Sequence, residues 1–229
     1  MTEPSGDSNT SVPLLAVLDY GIGNLRSAQK ALQKVGADAR LTNDPHLVDR
    51  ADGLVLPGVG AFGRCIEALE DAGLRSTAAL AAAAASKAVG PPFLGICVGL
   101  QMLHEGSEES PGTPGLAVLP GEVRLLSGDI KRPQMQWNRL ELPPWAPEHP
   151  MFAGLEGDSW AYFVHSYAAP IGASSVAVCQ YGTEVCAAEA VGDLWACQFH
   201  PEKSGSVGLA VLANFVSLVK ARQRDRRSV

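Results

Sequence analysis

Cys97 has the setting of a nucleophile more clearly than any other residue of this sequence. It follows the apolar run 93–96 and has a glycine two residues to either side, Gly95 and Gly99. This spacing predicts a strand that passes through a tight turn into a helix, with the cysteine at the carboxyl end of the strand. The N–H groups at the start of that helix would favour a thiolate.

A base for such a nucleophile lies far downstream. His200 and Glu202 are two residues apart, so they share a face if the chain is extended there. Cysteine, histidine and glutamate can act as a nucleophile, a base and an acid that orients the base. Each motif alone is weak evidence, because a cysteine in an apolar stretch is usually an inert core thiol. Cys197 has no framing glycines, and we expect it to be a buried strand residue.

Composition limits the classes of protein that this chain can belong to. Hydrophobic residues make up 46% of its 229 residues and charged residues 18%, which allows a large buried core. With a net charge of −6 and 6% aromatic residues, we expect neither nucleic acid nor a membrane surface as a partner. The histidines and the cysteines show no metal-ligand spacing, so we predict no metal and no cofactor.

The same sequence features predict a cytoplasmic location. The number of cysteines is odd, as five are present, and free thiols persist in a reducing compartment. Residues 1–13 have neither the basic nor the apolar region of a signal peptide. The alanine-rich apolar run that contains 80–85 is too short to span a bilayer. The composition of residues 1–13 indicates a flexible N-terminal extension.

The first half of the chain alternates between strand and helix patterns. Helical faces are predicted at 25–35, 64–72, 74–88 and 98–104, and buried strands at 14–18, 37–41, 54–56 and 93–96. This alternation predicts a parallel sheet with right-handed crossovers. Ligands of such sheets bind at the carboxyl ends of the strands. The 57–63 loop and Cys97 both lie at such ends.

After Gly121 the pattern changes to short, often alternating strands, and the chain closes with a helix from 207 to about 224. The strands are predicted at 122–126, 137–142, 161–167, 175–180, 185–190 and 194–199. The fold class is therefore α/β: an open, mostly parallel sheet flanked by helices, with additional antiparallel strands in the C-terminal half. We predict a single domain over 14–222, followed by a basic tail at 223–229.

Six segments carry a resemblance to a known family, and they occur in its order between about Leu14 and about Val219. They are 19–24, 56–62, 95–101, 133–138, 162–167 and 199–204. In them the sequence resembles class I glutamine amidotransferases, whose fold is flavodoxin-like. Within that family it is similar to the glutaminase subunits of imidazole glycerol phosphate synthase.

The resemblance implies a role for each matching residue. Cys97, His200 and Glu202 would be the catalytic triad that hydrolyses glutamine. The oxyanion hole would use the N–H of Val98 and the loop formed by Gly58, Val59 and Gly60. Glycines on both sides of Val59 would allow two orientations of a peptide, of which only one aims an N–H at the oxyanion. The residues that bind glutamine would be Gln101, Glu109, His165, Ser166 and Tyr167, with Glu108 as the alternative to Glu109.

The resemblance also implies a partner. In this family the glutaminase forms a heterodimer with a cyclase subunit, HisF, which is a (β/α)₈ barrel. Ammonia passes to the barrel, which converts PRFAR to imidazole glycerol phosphate and AICAR in histidine biosynthesis. The docking face would include Asn24, Gln136, Trp137, Asn138 and Lys203. Gln136 stands where the family usually has glycine, and we expect backbone strain there if that glycine needs a positive φ.

Two alternatives remain at this stage. The chain could serve another class I complex, of the anthranilate or pyridoxal-phosphate synthase type. It could also be a catalytically silent binding module that has kept the fold. Coupling to a cyclase of the histidine pathway decides the first, and labelling by a glutamine-like electrophile decides the second.

Overall fold

The computed structural model describes residues 12–143, 149–155 and 158–227. Nearly all of the predicted N-terminal extension, residues 1–11, lies outside these ranges, as do residues 228 and 229 of the predicted tail.

A seven-stranded sheet forms the centre of the molecule. Its parallel part is built from β1 (Leu14–Leu18), β2 (Asp38–Thr42), β3 (Gly53–Gly58) and β4 (Phe93–Cys97). All five residues of β4 are buried, as expected of a strand covered on both faces. The helices between these strands are α1 (Leu25–Lys34), α2 (Pro45–Arg50), α3 (Phe62–Asp71) and α4 (Arg75–Ser86), and α5 (Val98–Met102) follows β4 directly. The prediction of a mostly parallel sheet flanked by helices is confirmed.

The C-terminal half adds the antiparallel strands that were predicted. In a small three-stranded sheet, β6 (Glu122–Leu125) pairs antiparallel with β9 (Tyr167–Ala168) and parallel with β5 (Gly106–Ser107). A two-stranded ribbon consists of β7 (Gln134–Arg139) and β8 (Trp160–His165). The strands β10 (Ser175–Tyr181), β11 (Thr183–Val191) and β12 (Leu194–Cys197) extend the central sheet to the order β10-β11-β12-β4-β3-β1-β2. They are antiparallel to one another, and β12 pairs parallel with β4.

The last helix, α6 (Gly205–Arg227), closes one side of the core. By length and composition alone it could cross a membrane. Its apolar stripe, however, is buried against the rest of the protein, and consists of Val211, Leu212, Phe215, Val216 and Val219. Its C-terminal turns are tied down as well, because Arg222 pairs with Asp193 and Gln223 donates to Asp52.

Four sequence expectations differ from the structure. The helix α2 was not predicted, since six residues are too few for a periodic pattern. The strand expected at 137–142 is β7, three residues earlier, and that expected at 161–167 is interrupted at Ser166. Residues 223–227 of the predicted tail belong to α6.

The expected strain at Gln136 is also absent. Gln136 lies in regular β7, where it pairs with Phe163 of β8. Among the described residues, the non-glycine positions with positive φ are Ala88, Cys97 and Ala117. The glutamine therefore occupies an extended backbone that any L-residue can adopt.

Close packing of α5 against the sheet explains the glycines around Cys97. A Cβ at Gly99 would overlap the carbonyl oxygen of Leu56 in β3, and one at Gly95 would lie 3.0 Å from the carbonyl oxygen of Gly99. Neither glycine has a positive φ. Glycine is thus required at both positions for the approach of two backbones, and the turn itself is made by Cys97.

We expect Gly99→Ala to lower the free energy of unfolding by about 1–3 kcal/mol or more, because the added methyl group must displace backbone. The matched control is Gly172→Ala, where a Cβ meets nothing within 4 Å and φ is not positive. Urea unfolding followed by circular dichroism measures both. Equal stability of the two variants would contradict this account of the packing.

Candidate active site

Cys97 forms a sharp elbow between β4 and α5. Its φ is 56° and its ψ is −111°, a combination that costs an L-residue free energy and persists only where the surroundings enforce it. The glycine packing on either side supplies that constraint. The side chain is 3% exposed and lines a cleft at the carboxyl edge of the sheet.

His200 reaches this edge from the segment after β12. Its backbone N–H donates to the carbonyl oxygen of Tyr162 (3.0 Å), and Ser204 Oγ donates to the His200 carbonyl oxygen (2.7 Å). Glu202 lies in the following 3₁₀ turn, Pro201–Lys203. The turn, and not an extended segment as expected from the sequence, brings the imidazole and the carboxylate together.

The contacts of the imidazole fit a base held by a carboxylate. His200 Nδ1 lies 2.8 Å from Glu202 Oε1, which also accepts a hydrogen bond from Asn24 Nδ2 (3.0 Å). Nε2 is buried and has no hydrogen-bond partner among the described residues. Because no other group occupies it, this nitrogen is available to exchange protons with a nucleophile and a leaving group.

Burial and charge act in opposite directions on this pair. Burial lowers the pKa of His200, but its contacts with Cys97 and Glu202 outweigh burial and raise that pKa to about 9. Burial also tends to raise the pKa of Glu202, yet the hydrogen bonds from His200 and Asn24 hold it below its usual range. The imidazole is therefore positively charged at neutral pH.

The cleft has a volume of about 540 Å³. Most residues that the resemblance assigned to chemistry or to glutamine binding line it, namely Val59, Gly60, Cys97, Val98, Gln101, Glu109, His165, Ser166, Tyr167 and His200. Gly58 and Glu202 are not among the residues that line the cleft. Gly23, Pro133 and Val164 also line the cleft and were not predicted. Residues more than a hundred positions apart are thus brought to one place.

The structure distinguishes the two adjacent glutamates. Glu109 lines the cleft, and its Oε2 accepts a hydrogen bond from the N–H of Phe62 at the start of α3 (2.7 Å). Glu108 Oε2 instead accepts from the N–H of Leu125 (3.0 Å). Only Glu109 is therefore placed to meet a ligand in the cleft.

Two side chains that the sequence did not single out hold the loop opposite Cys97. Tyr20 Oη donates to the carbonyl oxygen of Pro57 (2.6 Å), and Cys65 Sγ donates to that of Val59 (3.2 Å). The strand register places Gly58 directly beside Cys97. The carbonyls on both sides of the Gly58–Val59 peptide are thus fixed.

The two glycines of this loop differ. Gly60 has a φ of +86° and open space around it. Gly58 has no positive φ, and a Cβ there would lie 2.8 Å from the backbone nitrogen of Gly99. Gly58 is therefore required for packing, and only Gly60 shows the left-handed backbone that favours glycine.

His165 is a neutral component of the cleft wall. Its Nδ1 lies 2.9 Å from the Tyr167 carbonyl oxygen, which can only accept, so Nδ1 carries the hydrogen. Burial lowers the pKa of His165 to about 4, the Tyr167 hydrogen bond opposes this, and nearby His200 lowers it further. Nε2 is consequently an acceptor, and it is buried without a partner among the described residues.

The residues expected at the docking face divide into two groups. Gln136, Trp137 and Lys203 are exposed, and Trp137 makes an edge contact with Tyr162 (6.1 Å between ring centroids). Asn138, by contrast, is buried and donates to the Gln180 carbonyl oxygen (2.8 Å). This hydrogen bond to β10 turns the Asn138 side chain inward, which removes it from the expected face. Asn24 lines the cleft and holds Glu202.

Within the described ranges, no group of three or more histidine, cysteine, aspartate or glutamate side chains could hold a metal ion.

Comparisons with known proteins identify the family of this chain. The sequence model of the family "Glutamine amidotransferase class-I" matches residues 16–218. The imidazole glycerol phosphate synthase subunit HisH of Methanothermobacter thermautotrophicus is 47% identical over 209 residues, which cover 91% of this chain and 100% of the relative. Subunit HisH of Deinococcus radiodurans is 46% identical over 209 residues, covering 90% and 94% respectively. That of Bacillus cereus is 42% identical over 217 residues, covering 94% and 100%.

Solved structures share the fold at low sequence identity. A glutamine amidotransferase crystal structure superposes with a TM-score of 0.67 at 18% identity and covers 90% of this chain and 98% of that one. PurLQS from Thermotoga maritima gives 0.65 at 20% identity, covering 91% and 99%. The chain belongs to the class I glutamine amidotransferase family and, within it, to the HisH subunits.

Proposed function

We propose that this chain is the glutaminase subunit of an imidazole glycerol phosphate synthase, acting through Cys97, His200 and Glu202. The observation that carries the proposal is the single cleft in which a strained cysteine elbow lies beside a cationic imidazole held by a buried carboxylate. The identity of 42–47% with HisH relatives favours this complex over other class I complexes. An intact triad argues against a silent binding module.

The first half of the reaction releases ammonia. Cys97 Sγ attacks the side-chain carboxamide carbon of glutamine, and the carbonyl oxygen becomes an oxyanion. His200 Nε2 gives its proton to the amide nitrogen, the C–N bond breaks, and ammonia leaves. A thioester between Cys97 and the glutamyl group remains, and His200 is neutral.

The second half regenerates the enzyme. His200 takes a proton from a water molecule, which attacks the thioester carbon. The C–S bond breaks, glutamate leaves, and the sulfur is again anionic beside the imidazolium. Glu202 keeps Nδ1 protonated and the ring oriented throughout, and Asn24 holds Glu202.

Both steps pass through a tetrahedral intermediate that needs two N–H donors for its oxyanion. The N–H of Val98 follows the nucleophile directly, and that of Val59 lies on the loop opposite. Tyr20 and Cys65 hold the carbonyl groups of Pro57 and Val59. The Gly58–Val59 peptide lies between these two carbonyls, and its orientation decides whether the Val59 N–H can serve as the second donor. Loss of one such donor typically costs on the order of 10²–10³ in rate.

Glutamine binds with its amino-acid end toward Gln101, Glu109 and residues 165–167. The carboxylate of Glu109 supplies a negative charge for the ammonium group. Its Oε2 accepts a hydrogen bond from the Phe62 N–H, and its Oε1 binds the ammonium group. Backbone groups of Ser166 and Tyr167 contact the carboxylate end.

The partner in this proposal is the cyclase HisF, in a cytoplasmic heterodimer. It binds over the mouth of the cleft, where Asn24 and Lys203 lie, and over the exposed Gln136 and Trp137. Ammonia then enters the (β/α)₈ barrel without crossing solvent, and PRFAR is converted to imidazole glycerol phosphate and AICAR.

The first prediction concerns the nucleophile. Cys97→Ala should lower glutamate release by at least about 10³-fold, whereas the complex should still make imidazole glycerol phosphate from added ammonium salts at high pH. The control is Cys197→Ala, because Cys197 is fully buried and its thiol donates to the carbonyl oxygen of Gly95. Near-normal glutaminase activity of the Cys97 variant would mean that the nucleophile is wrongly assigned.

The second prediction concerns His200. In Cys97→Ala the pKa of His200 should stay raised by Glu202, and adding Glu202→Gln should lower it below 6.5, because burial alone then acts on the ring. Histidine NMR over pH 5–10 measures both. A raised folded-state pKa adds stability that is fully present below the unfolded value of 6.5 and is lost as pH rises through the folded value. Cys97→Ala should therefore lose stability relative to the double variant as pH rises from about 6.5 through the His200 pKa measured in that variant. Parallel titration curves would contradict the pairing.

The third prediction concerns activation. We expect the isolated chain to hydrolyse glutamine about a thousandfold more slowly than the complex with cyclase ligand bound, a difference of about 4 kcal/mol in barrier. Gly60→Ala should reduce this activation, because its φ of +86° disfavours an L-side chain, while Gly172→Ala should not. Gly58→Ala is not a suitable probe, since it disturbs packing. A fast isolated chain would show that the partner has no such role.

A further inference from the structure

A short chain of side-chain hydrogen bonds ends at the sulfur of Cys97. Gln101 Nε2 donates to the Tyr167 carbonyl oxygen (2.9 Å) and to Gln198 Oε1 (3.1 Å). Gln198 Nε2 in turn lies 3.7 Å from Cys97 Sγ. Gln198 is fully buried and does not line the cleft, so it can affect the reaction only through its two side-chain contacts, with the sulfur and with Gln101.

The backbone fixes the direction of this chain. The Tyr167 carbonyl oxygen can only accept, so the Gln101 atom beside it must be the amide nitrogen. That nitrogen can only donate, so the Gln198 atom beside it must be the carbonyl oxygen. The remaining group of Gln198, its NH₂, is therefore the one that faces the sulfur. The reverse orientation would bring two NH₂ groups together and point an oxygen at Cys97.

An N–H donor at this place suits an anionic sulfur better than a neutral thiol. Hydrogen bonds to ionised acceptors are about twice as strong as neutral ones, and N–H···S contacts are long because sulfur is large. His200 stabilises the same sulfur with its charge. The two donors come from residues of one segment, 198 and 200.

We propose that Gln198 is a positioning residue for the nucleophile: its amide N–H holds Cys97 Sγ in place and stabilises the thiolate, and Gln101 sets the direction of that amide. The proposal rests on the proposed function, because it assumes that Cys97 attacks glutamine. It gives Gln101 a role beyond lining the cleft. It also explains why a fully buried position carries an amide, when an apolar side chain of the same length would fill the space without the cost of burying polar atoms.

The test uses Gln198→Met, which keeps length and removes the donor, and Gln198→Glu, which keeps shape and replaces the donor by an acceptor. Alkylation of Cys97 by iodoacetamide is followed from pH 5 to 10 by peptide mass spectrometry, which separates Cys97 from the other four cysteines. Gln198→Met should alkylate about tenfold more slowly at pH 7, with its profile shifted to higher pH. The shift should be larger in Gln198→Glu.

Steady-state kinetics of the complex provide the second readout. In Gln198→Met, kcat for glutamine should fall about tenfold while KM changes less than threefold, because Gln198 does not line the cleft and Gln101 keeps its hydrogen bond to the Tyr167 carbonyl oxygen. Activity with ammonium salts should stay at the wild-type level, and co-elution of each variant with the cyclase in size-exclusion chromatography shows that both variants fold and dock. The matched control, Gln180→Met, changes an exposed glutamine of β10 and should behave as wild type.

The outcomes separate the two proposals. A wild-type chain that alkylates normally but hydrolyses no glutamine would end the proposed function and leave the role of Gln198 in thiolate stability intact. Unchanged alkylation profiles in folded Gln198→Met and Gln198→Glu would overturn that role. A rise in KM with unchanged kcat would overturn it too, since it would mean that Gln198 acts on substrate binding.

Discussion

The contact between α5 and β3 is the constraint on which the active site depends. With glycine at 99, the backbone of the helix lies directly on the Leu56 carbonyl of the neighbouring strand. The chain can leave β4 and enter that helix only by a sharp elbow, and Cys97 adopts it with a left-handed φ. The strain is therefore set by packing in the core, and it leaves the sulfur facing the cleft.

The polar groups around that sulfur carry partial or full positive charge, and other side chains and backbone groups hold each of them in place. Asn24 holds Glu202, which holds His200, and the Tyr167 carbonyl orients Gln101 and also accepts from His165. Each of these polar groups is buried or partly buried, where an unpaired one would be costly. The site is thus a connected polar network inside an apolar fold, and a change to one member affects its neighbours.

The residues of this site that could be predicted from the sequence are those whose side-chain chemistry and local spacing identify them, such as Cys97, His200 and Glu202. Buried parallel strands such as β4 are continuous apolar runs, and a cysteine between two glycines is unusual enough to attract attention. Asn24, Tyr20, Cys65 and Gln198 were not recognised in these roles, because their partners lie up to 178 positions away along the chain. The helix α2 left a local signal, an N-capping Asp44 followed by proline. The displaced β7 left none, since its position depends on pairing with β8.

The outer face of the β7–β8 ribbon carries Met135 at 61%, Trp137 at 47% and Trp160 at 47% exposure. Exposed apolar side chains of this size on adjacent strands promote self-association. A cell that made this chain in excess of whatever covers that face would accumulate a species prone to precipitate. Production of this chain and of the protein that covers that face in equal amounts is therefore favoured on grounds of solubility alone, independently of any advantage in catalysis.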